Sequence, residues 1–266
     1  MEPFCYNNER VLFIEKWMTT NIVAGMTTRN GGVSESPYHT LNTGFHVSDD
    51  PNHVLKNRQL IAEDLNFPLD QWVLGEQVHN TNVFIVEDKS GVIGAGSTIN
   101  TNPISGVDGL ITKEKNILLA AFFADCVPLF FWDPTSDWIG IAHAGWRGTV
   151  NKMASAMVDT FKQENVNIAN LHVAIGPSIC KENYQVDQKV YEQVPKKWRG
   201  EVVEKDGEQN YLIDLPRLNE LILQEEGVDE ARILRTNYCT YRDPIFFSHR
   251  KDQQKTGRML GFIGRK

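Results

Sequence analysis

The stretch from Ile117 to Phe161 constrains the fold of this 266-residue chain more than any other. It holds two apolar runs, each ending on a residue that has no place in a core. Ile117 to Ala124 stops at Asp125-Cys126, and Trp138 to Ala142 stops at His143. A turn follows, Ala144-Gly145-Trp146-Arg147-Gly148. Val150, Met153, Ala154, Met157, Val158 and Phe161 then fall at i, i+3, i+4, i+7, i+8 and i+11. That spacing predicts a helix with one apolar face and Thr149 as its cap. Cys126 and His143 are therefore expected at the ends of buried strands, where the sheet holds the backbone and the side-chain tips reach a cleft.

A third such residue lies upstream. The short apolar run Trp72-Val73-Leu74 leads into Gly75-Glu76-Gln77-Val78-His79-Asn80. Two histidines and one cysteine from three strand ends make a zinc ligand set with a fourth position left for water. Spacing alone leaves the alternative open: Cys126 as a small buried hydrophobe, and both histidines hydrogen-bonded near the core. The compact Cys-x-x-Cys pattern of a structural zinc site is absent.

The net charge of −7 and the lack of any long Lys/Arg block argue against a nucleic-acid-binding face. No apolar segment approaches the ~20 residues needed to span a bilayer. Glu2, Glu9 and Arg10 among few apolar residues do not form a signal peptide. Cysteines at positions 5, 126, 180 and 239 show no disulfide-framework spacing. The expectation is a soluble, cytoplasmic enzyme with reduced thiols.

Along the chain, Val11–Ile14 and Ile22–Met26 read as strands. The long polar loop from Thr27 to Asp50 carries Arg29, His39, Asn42 and His46, groups suited to a sugar or phosphate site and equally to turn chemistry. Asp49-Asp50-Pro51 opens a helix running to Leu65. Gly91 to Gly106 has no period and no phosphate-loop pattern, so it reads as a surface loop. Strands are expected at Val107–Thr112, Leu171–Ile175, Tyr211–Ile213 and Arg232–Leu234. Helices are expected over Asp187–Val194 and from Asp214 to Gln224. Ile245–Arg250 and Met259–Ile263 read as two strands around a charged turn. Strands outnumber helices without βαβ alternation, which predicts an α+β fold of mixed sheets with helices outside, as a single domain over residues 1–266.

Several blocks carry a resemblance. GEQVHN, ADCVPLFFWDP, IGIAHAGWRGT and AIGPSIC followed by Tyr184-Gln185-Val186 are similar to the YfiH/YlmD family, also labelled polyphenol oxidase or laccase domain. The segment TTRNGGVSESPYHTLNTGFHVSDDP, Asn57-Arg58, FFSHRKD and TGR match it as well, so the similarity covers nearly the whole chain. The resemblance implies a four-layer α/β/β/α arrangement and a zinc ion on His79, Cys126 and His143. It implies phosphorolysis of adenosine, inosine, guanosine and methylthioadenosine, and deamination of adenosine. Members often have a second cysteine after GPxI, where this chain has Ser178-Ile179-Cys180-Lys181, so the role of Cys180 stays open.

Each chemistry asks for particular residues. Zinc on three side chains lowers the pKa of its water to about 7, which suits deamination at C6 of adenine. A carboxylate outside the ligand set must move the proton, and Asp125 and Glu76 are the neighbours in sequence. Phosphorolysis needs cations for orthophosphate. Arg147 at a helix start and Arg250 beside Ser248 and His249 are the candidates, with Arg29 behind them. The expected substrate-binding set is thus Arg29, Asn42, Arg147, Ser248 and Arg250. Trp146 is suited either to stacking on a purine or to closing the core.

Copper is the less favoured ion. A His2Cys set can hold it, but a multicopper oxidase also needs paired His-x-His motifs, and none of the seven histidines forms one. A Cys-His hydrolase, using Cys126 as nucleophile and His143 as base on an amide such as a peptidoglycan precursor, is the other alternative.

Overall fold

The computed structural model describes residues 1–18 and 21–266. The first part of the chain forms β1 (Phe4–Tyr6), β2 (Val11–Ile14), β3 (Ile22–Thr27), α1 (Pro51–Leu65), β4 (Trp72–Leu74) and β5 (Val83–Ile85). The middle forms β6 (Gly109–Thr112), β7 (Ile117–Phe123), β8 (Val127–Trp132), β9 (Ile139–Ala144), α2 (Trp146–Val150), α3 (Met153–Gln163) and β10 (His172–Ile175). The last part forms β11 (Gln185–Asp187), α4 (Gln188–Gln193), α5 (Arg199–Val202), β12 (Val203–Lys205), β13 (Asn210–Ile213), α6 (Leu215–Glu225), β14 (Ile233–Arg235) and β15 (Met259–Arg265).

Two six-stranded mixed sheets carry the fold, ordered β1-β2-β3-β15-β7-β4 and β14-β10-β8-β9-β6-β5. They face each other across a core that includes Leu119, Phe123, Phe130, Ile141 and Ile263. The helix α1 covers the outer side of the first sheet through Ile61 and Leu65. On the outer side of the second sheet lie α3, through Met153, Met157 and Phe161, and α6, through Leu218 and Ile222. Each large apolar side chain so buried contributes about 1.5–3 kcal/mol, which offsets the ordering of short strands that could not persist alone. Helix, sheet, sheet and helix therefore stack in the order the resemblance implies.

The site is positioned by a switch of sheets. The strand β7 belongs to the first sheet and β8 to the second, so the chain crosses between layers at Ala124-Asp125-Cys126. Asp125 makes the crossing with φ 86°, a left-handed conformation that Asp tolerates better than most residues.

Four local expectations are corrected. The helix after β9 is two helices: Lys152 sits at φ 67° between α2 and α3, and Gly145, not Thr149, occupies the first cap. Thr149 lies inside α2, where its hydroxyl donates to Ala144 O at 3.2 Å and accepts from Asn219 at 2.9 Å. Ile245–Arg250 is irregular rather than a strand, because its groups are recruited elsewhere. Ile245 O accepts from Arg29 N, and Arg250 N donates to the Asp125 carboxylate at 2.7 Å. Finally, Cys180 and Cys239 are joined as a disulfide with Cα atoms 5.2 Å apart, which leaves Cys5 and Cys126 as the free thiols. Their separation of 59 residues carries no framework signal; parallel pairing of Ser178 with Cys239 brings them together.

Candidate active site and metal centre

Cys126 follows the end of β7 at the sheet crossing, and His143 lies near the end of β9, buried. His79 comes from the loop after β4 and would be free to wander without its anchors. Two side chains supply them. Gln77, at φ 60°, donates to Phe122 O at 2.9 Å and accepts from Phe122 N at 2.7 Å, acting as a missing strand partner. Asp108 accepts the N–H groups of Val78, His79 and Asn80, each at 3.0 Å. The same carboxylate accepts from His143 Nδ1 at 2.9 Å. With Nδ1 carrying that hydrogen, Nε2 of His143 is left as the ligating atom. Asp108 thus orders two of the three ligands, a role invisible in a residue read as part of a short strand.

The ligand atoms of His79, Cys126 and His143 all lie within 4.8 Å of one another. The fit to a metal ion is supported by what the backbone gives up for it. A Cβ on Gly145 would meet Cys126 Sγ at 2.9 Å and His79 Cδ2 at 3.1 Å, so the cradle exists only with glycine there. Two imidazoles and a thiolate suit a zinc ion at about 2.0–2.3 Å from each, with one position open. This is the one group of three or more potential ligands among the described residues, so the paired sites of a multicopper oxidase have no counterpart there. Burial opposes the Cys126 thiolate, but His143 and His79 outweigh it and bring the thiol down to about 6. Burial likewise opposes the His143 cation, and Cys126 with Asp108 raises it to about 9.

Two chambers meet at this group and share His79, Ala124, Cys126 and His249. The larger, about 490 Å³, is also walled by His143, Phe122, Gln77, His46 and Arg258. The smaller, about 270 Å³, is walled by Trp146, Tyr184, Ile179 and Leu215, with Arg147 and Arg250 at its sides. Arg147 lies 4.5 Å over the Trp146 ring and Arg250 5.2 Å over the Tyr184 ring.

The other expected residues are placed as follows. Both oxygens of Asp125 are engaged, one by Thr240 at 2.6 Å and one by Arg250 N. Glu76 uses one oxygen to accept from Ser105 and Gly106 N, which lowers its pKa, and it lines the larger chamber. Arg29 sits 4.6 Å over Phe247, 3.9 Å from Asp252, and donates to His39 O. The amide of Asn42 is spent on Gly44, Asp49 and Arg258 N inside the fold. Ser248 is buried and accepts from Lys251 N. His46, Asp108, Tyr184 and Arg258 complete the surroundings. His46 stands among the polar groups of the long loop, and Tyr184 and Arg258 lie in blocks that carry the resemblance, but none was assigned a site role; Asp108 had no signal.

With this geometry in view, the class is plain. Residues 23–266 match the family described as multi-copper polyphenol oxidoreductase laccase, and the chain belongs to that family. It is 41% identical to a protein of Bacillus subtilis named purine nucleoside phosphorylase YlmD, over 99% of this chain and 98% of that one. A protein of the same name from Geobacillus stearothermophilus is 41% identical over 92% of this chain and 90% of its own. Among solved structures, the hypothetical protein YfiH of Bacillus licheniformis superposes with a TM-score of 0.95 at 38% identity, and YlmD of Geobacillus stearothermophilus with 0.94 at 38%, each covering 100% of both chains. Among the described residues, no helix is long and apolar enough to cross a membrane.

Proposed function

We propose that this chain is a zinc-dependent purine nucleoside phosphorylase acting on adenosine, inosine, guanosine and methylthioadenosine. The observation that carries the reading is the pair of chambers meeting at one three-ligand group. Displacement at C1′ of ribose requires the incoming phosphate oxygen and the departing purine to lie on opposite sides of that carbon. Two chambers with a shared floor offer a separate place for each.

The smaller chamber suits the purine. Trp146 and Tyr184 offer faces for stacking, Ile179 and Leu215 exclude water, and Arg147 and Arg250 reach the ligand from the rim. Arg29, Asn42 and Ser248 serve from behind by fixing the loops that carry the walls. A phosphate oxygen bonds to C1′, the C1′–N9 bond breaks, and its electron pair leaves with the purine, which takes a proton. The products are the base and ribose-1-phosphate. A zinc ion on His79, Cys126 and His143 would supply Lewis-acid polarisation of a sugar or water oxygen.

Adenosine deamination is the second activity of this reading. Its proton must pass through a carboxylate, and Asp125 has no oxygen to spare. The second oxygen of Glu76 is therefore the better carrier. Names of relatives support the phosphorylase reading, and a Cys126 thiolate held by a metal would not be available as the nucleophile of a Cys-His hydrolase.

Inosine incubated with the enzyme should yield hypoxanthine and ribose-1-phosphate only when phosphate is present, and adenosine should yield inosine with or without it. Untouched nucleosides from zinc-replete protein would remove the assignment. Oxygen uptake with a phenol would replace it with the oxidase.

A further inference from the structure

Arg147, Arg250 and Arg258 open onto the chambers, and among the described residues none has a carboxylate within ion-pair distance of its guanidinium. They are not equivalent. Arg147 and Arg250 are exposed and lie over aromatic rings, and Arg250 also donates from Nη1 to Gln185 O at 2.8 Å; water solvates both whether or not an anion is present.

Arg258 is half-buried. Its stem packs on Gly44, where an added Cβ would meet Arg258 Cγ and His46 Cε1, each at 3.0 Å. Its Nη1 donates to Thr256 O at 2.9 Å and Gly257 O at 3.0 Å. That fixes one end of the planar group and leaves the Nε–Nη2 edge without a partner among the described residues. Nearby lies a second cation. Arg58 is 1% exposed, donates to the carbonyls of Thr43, Gly96 and Ser97, and sits between the rings of Phe45 and Phe122 with no carboxylate partner among the described residues. Burial lowers the pKa of both arginines, Arg58 to about 9. Burial and the two cations hold His46 down at about 4, so it is neutral at pH 7. The larger chamber therefore has Arg258 and a neutral imidazole in its lining and Arg58 behind Phe122. Glu76 and Cys126 are its acidic groups, and among the described residues no carboxylate lies within ion-pair distance of either arginine.

We infer that the Nε–Nη2 edge of Arg258 binds orthophosphate in the larger chamber, across the three-ligand group from the purine. The inference rests on the phosphorolysis reading and deepens it. Two N–H groups in a fixed fork match two oxygens of one phosphate, which a stacked arginine on the rim does less well. His46 adds one N–H without a like charge, and Arg58 adds field without contact. A third oxygen of the same phosphate is left to attack C1′. The sequence pointed instead to Arg147 or Arg250, on the side now given to the base.

Two measurements test the assignment: calorimetric titration of orthophosphate into the nucleoside-free enzyme, and the KM values for phosphate and inosine. Arg258→Met should weaken phosphate about ten- to hundred-fold in both, as for loss of a charge-assisted hydrogen bond, with the inosine KM within about twofold. Arg258→Lys keeps the charge and loses the fork, so it should fall between, and it carries the test if the methionine variant does not fold. Arg147→Met and Arg250→Met should leave phosphate affinity within about threefold. Unchanged phosphate affinity in a folded Arg258→Met overturns the inference. A rise in KM for inosine but not adenosine also overturns it, by giving the edge to the 6-oxo group of the purine. Phosphate bound through Arg258 without formation of ribose-1-phosphate would keep this site and remove the phosphorylase reading. Phosphorolysis that persists undiminished in Arg258→Met would do the reverse.

Discussion

The two chambers beside His79, Cys126 and His143 are built by opposite means. The smaller one is an aromatic slot whose cations, Arg147 and Arg250, stand in solvent over the rings they cover. The larger one has its charge inside the wall, where Arg58 is fully enclosed and Arg258 is pinned by carbonyls. An exposed cation is cheap to leave empty and gives little on binding, whereas a desolvated one is costly to leave empty and favours an anion strongly. On the phosphorolysis reading, the contrast would assign the substrate that contributes ring surface to one chamber and the one that contributes charge to the other.

The largest expected effect removes what both chambers share. Cys126→Ala should reduce bound zinc from near stoichiometric to background by metal analysis, and phosphorolysis by more than ~100-fold, beyond the usual effect of a supporting residue. Retention of zinc in that variant would dissolve the centre around which the chambers are compared. Cys180→Ala and Cys239→Ala should keep the metal.

Asp108→Asn should come next. It keeps the shape but weakens acceptance from three main-chain N–H groups and from His143 Nδ1. Zinc affinity should fall about ten- to hundred-fold in a competition with a chromophoric chelator. An unchanged affinity would mean that the turn holds His79 without help.

Tyr184→Leu acts on one chamber only. Loss of a stacking face worth about 1–3 kcal/mol should raise the inosine KM and leave the phosphate KM in place. A matching rise for phosphate would erase the division of labour.

The smallest effect concerns His46. Its folded pKa, about 4, lies below the unfolded value of about 6.5. Between those values the unfolded chain binds the extra proton, so stability rises with pH through the window and falls on acidification. The ring faces the open chamber, so solvent screening holds the effect below about 1 kcal/mol. Thermal melts from pH 4 to 7 should show a steeper fall for wild type than for His46→Gln; parallel curves would contradict the cationic wall.

Much of this was legible in the sequence and some was not. Cys126 and His143 stood out because an apolar run that ends on a ligating residue marks a strand end, whereas His79, in the loop five residues beyond β4, was picked out after a short apolar run and through the GEQVHN block of the resemblance. The mixed sheets and outer helices followed from the same periodicities. Residues that act through distant partners left no such mark. Asp108 looks like part of an ordinary strand until β6 pairs with β9 and brings His143 to its carboxylate. Asp125 reads as a catalytic neighbour until Thr240 and Arg250 take its two oxygens from 115 and 125 residues away. Ile245–Arg250 has the composition of a strand, yet the crossing at Asp125 recruits its backbone.

By itself, then, the sequence determined where most of the strands fall, which face of each long helix is apolar, and that two histidines and a cysteine were available as ligands. Tertiary structure alone decided which arginines are solvated and which are desolvated. The physical reason is that periodicity is local, while the burial of a charge depends on everything packed around it. Arg58 and Arg258 are ordinary cations in the sequence; only the loops at Thr43, Gly96 and Thr256 tie them to carbonyls, with no carboxylate at ion-pair distance among the described residues.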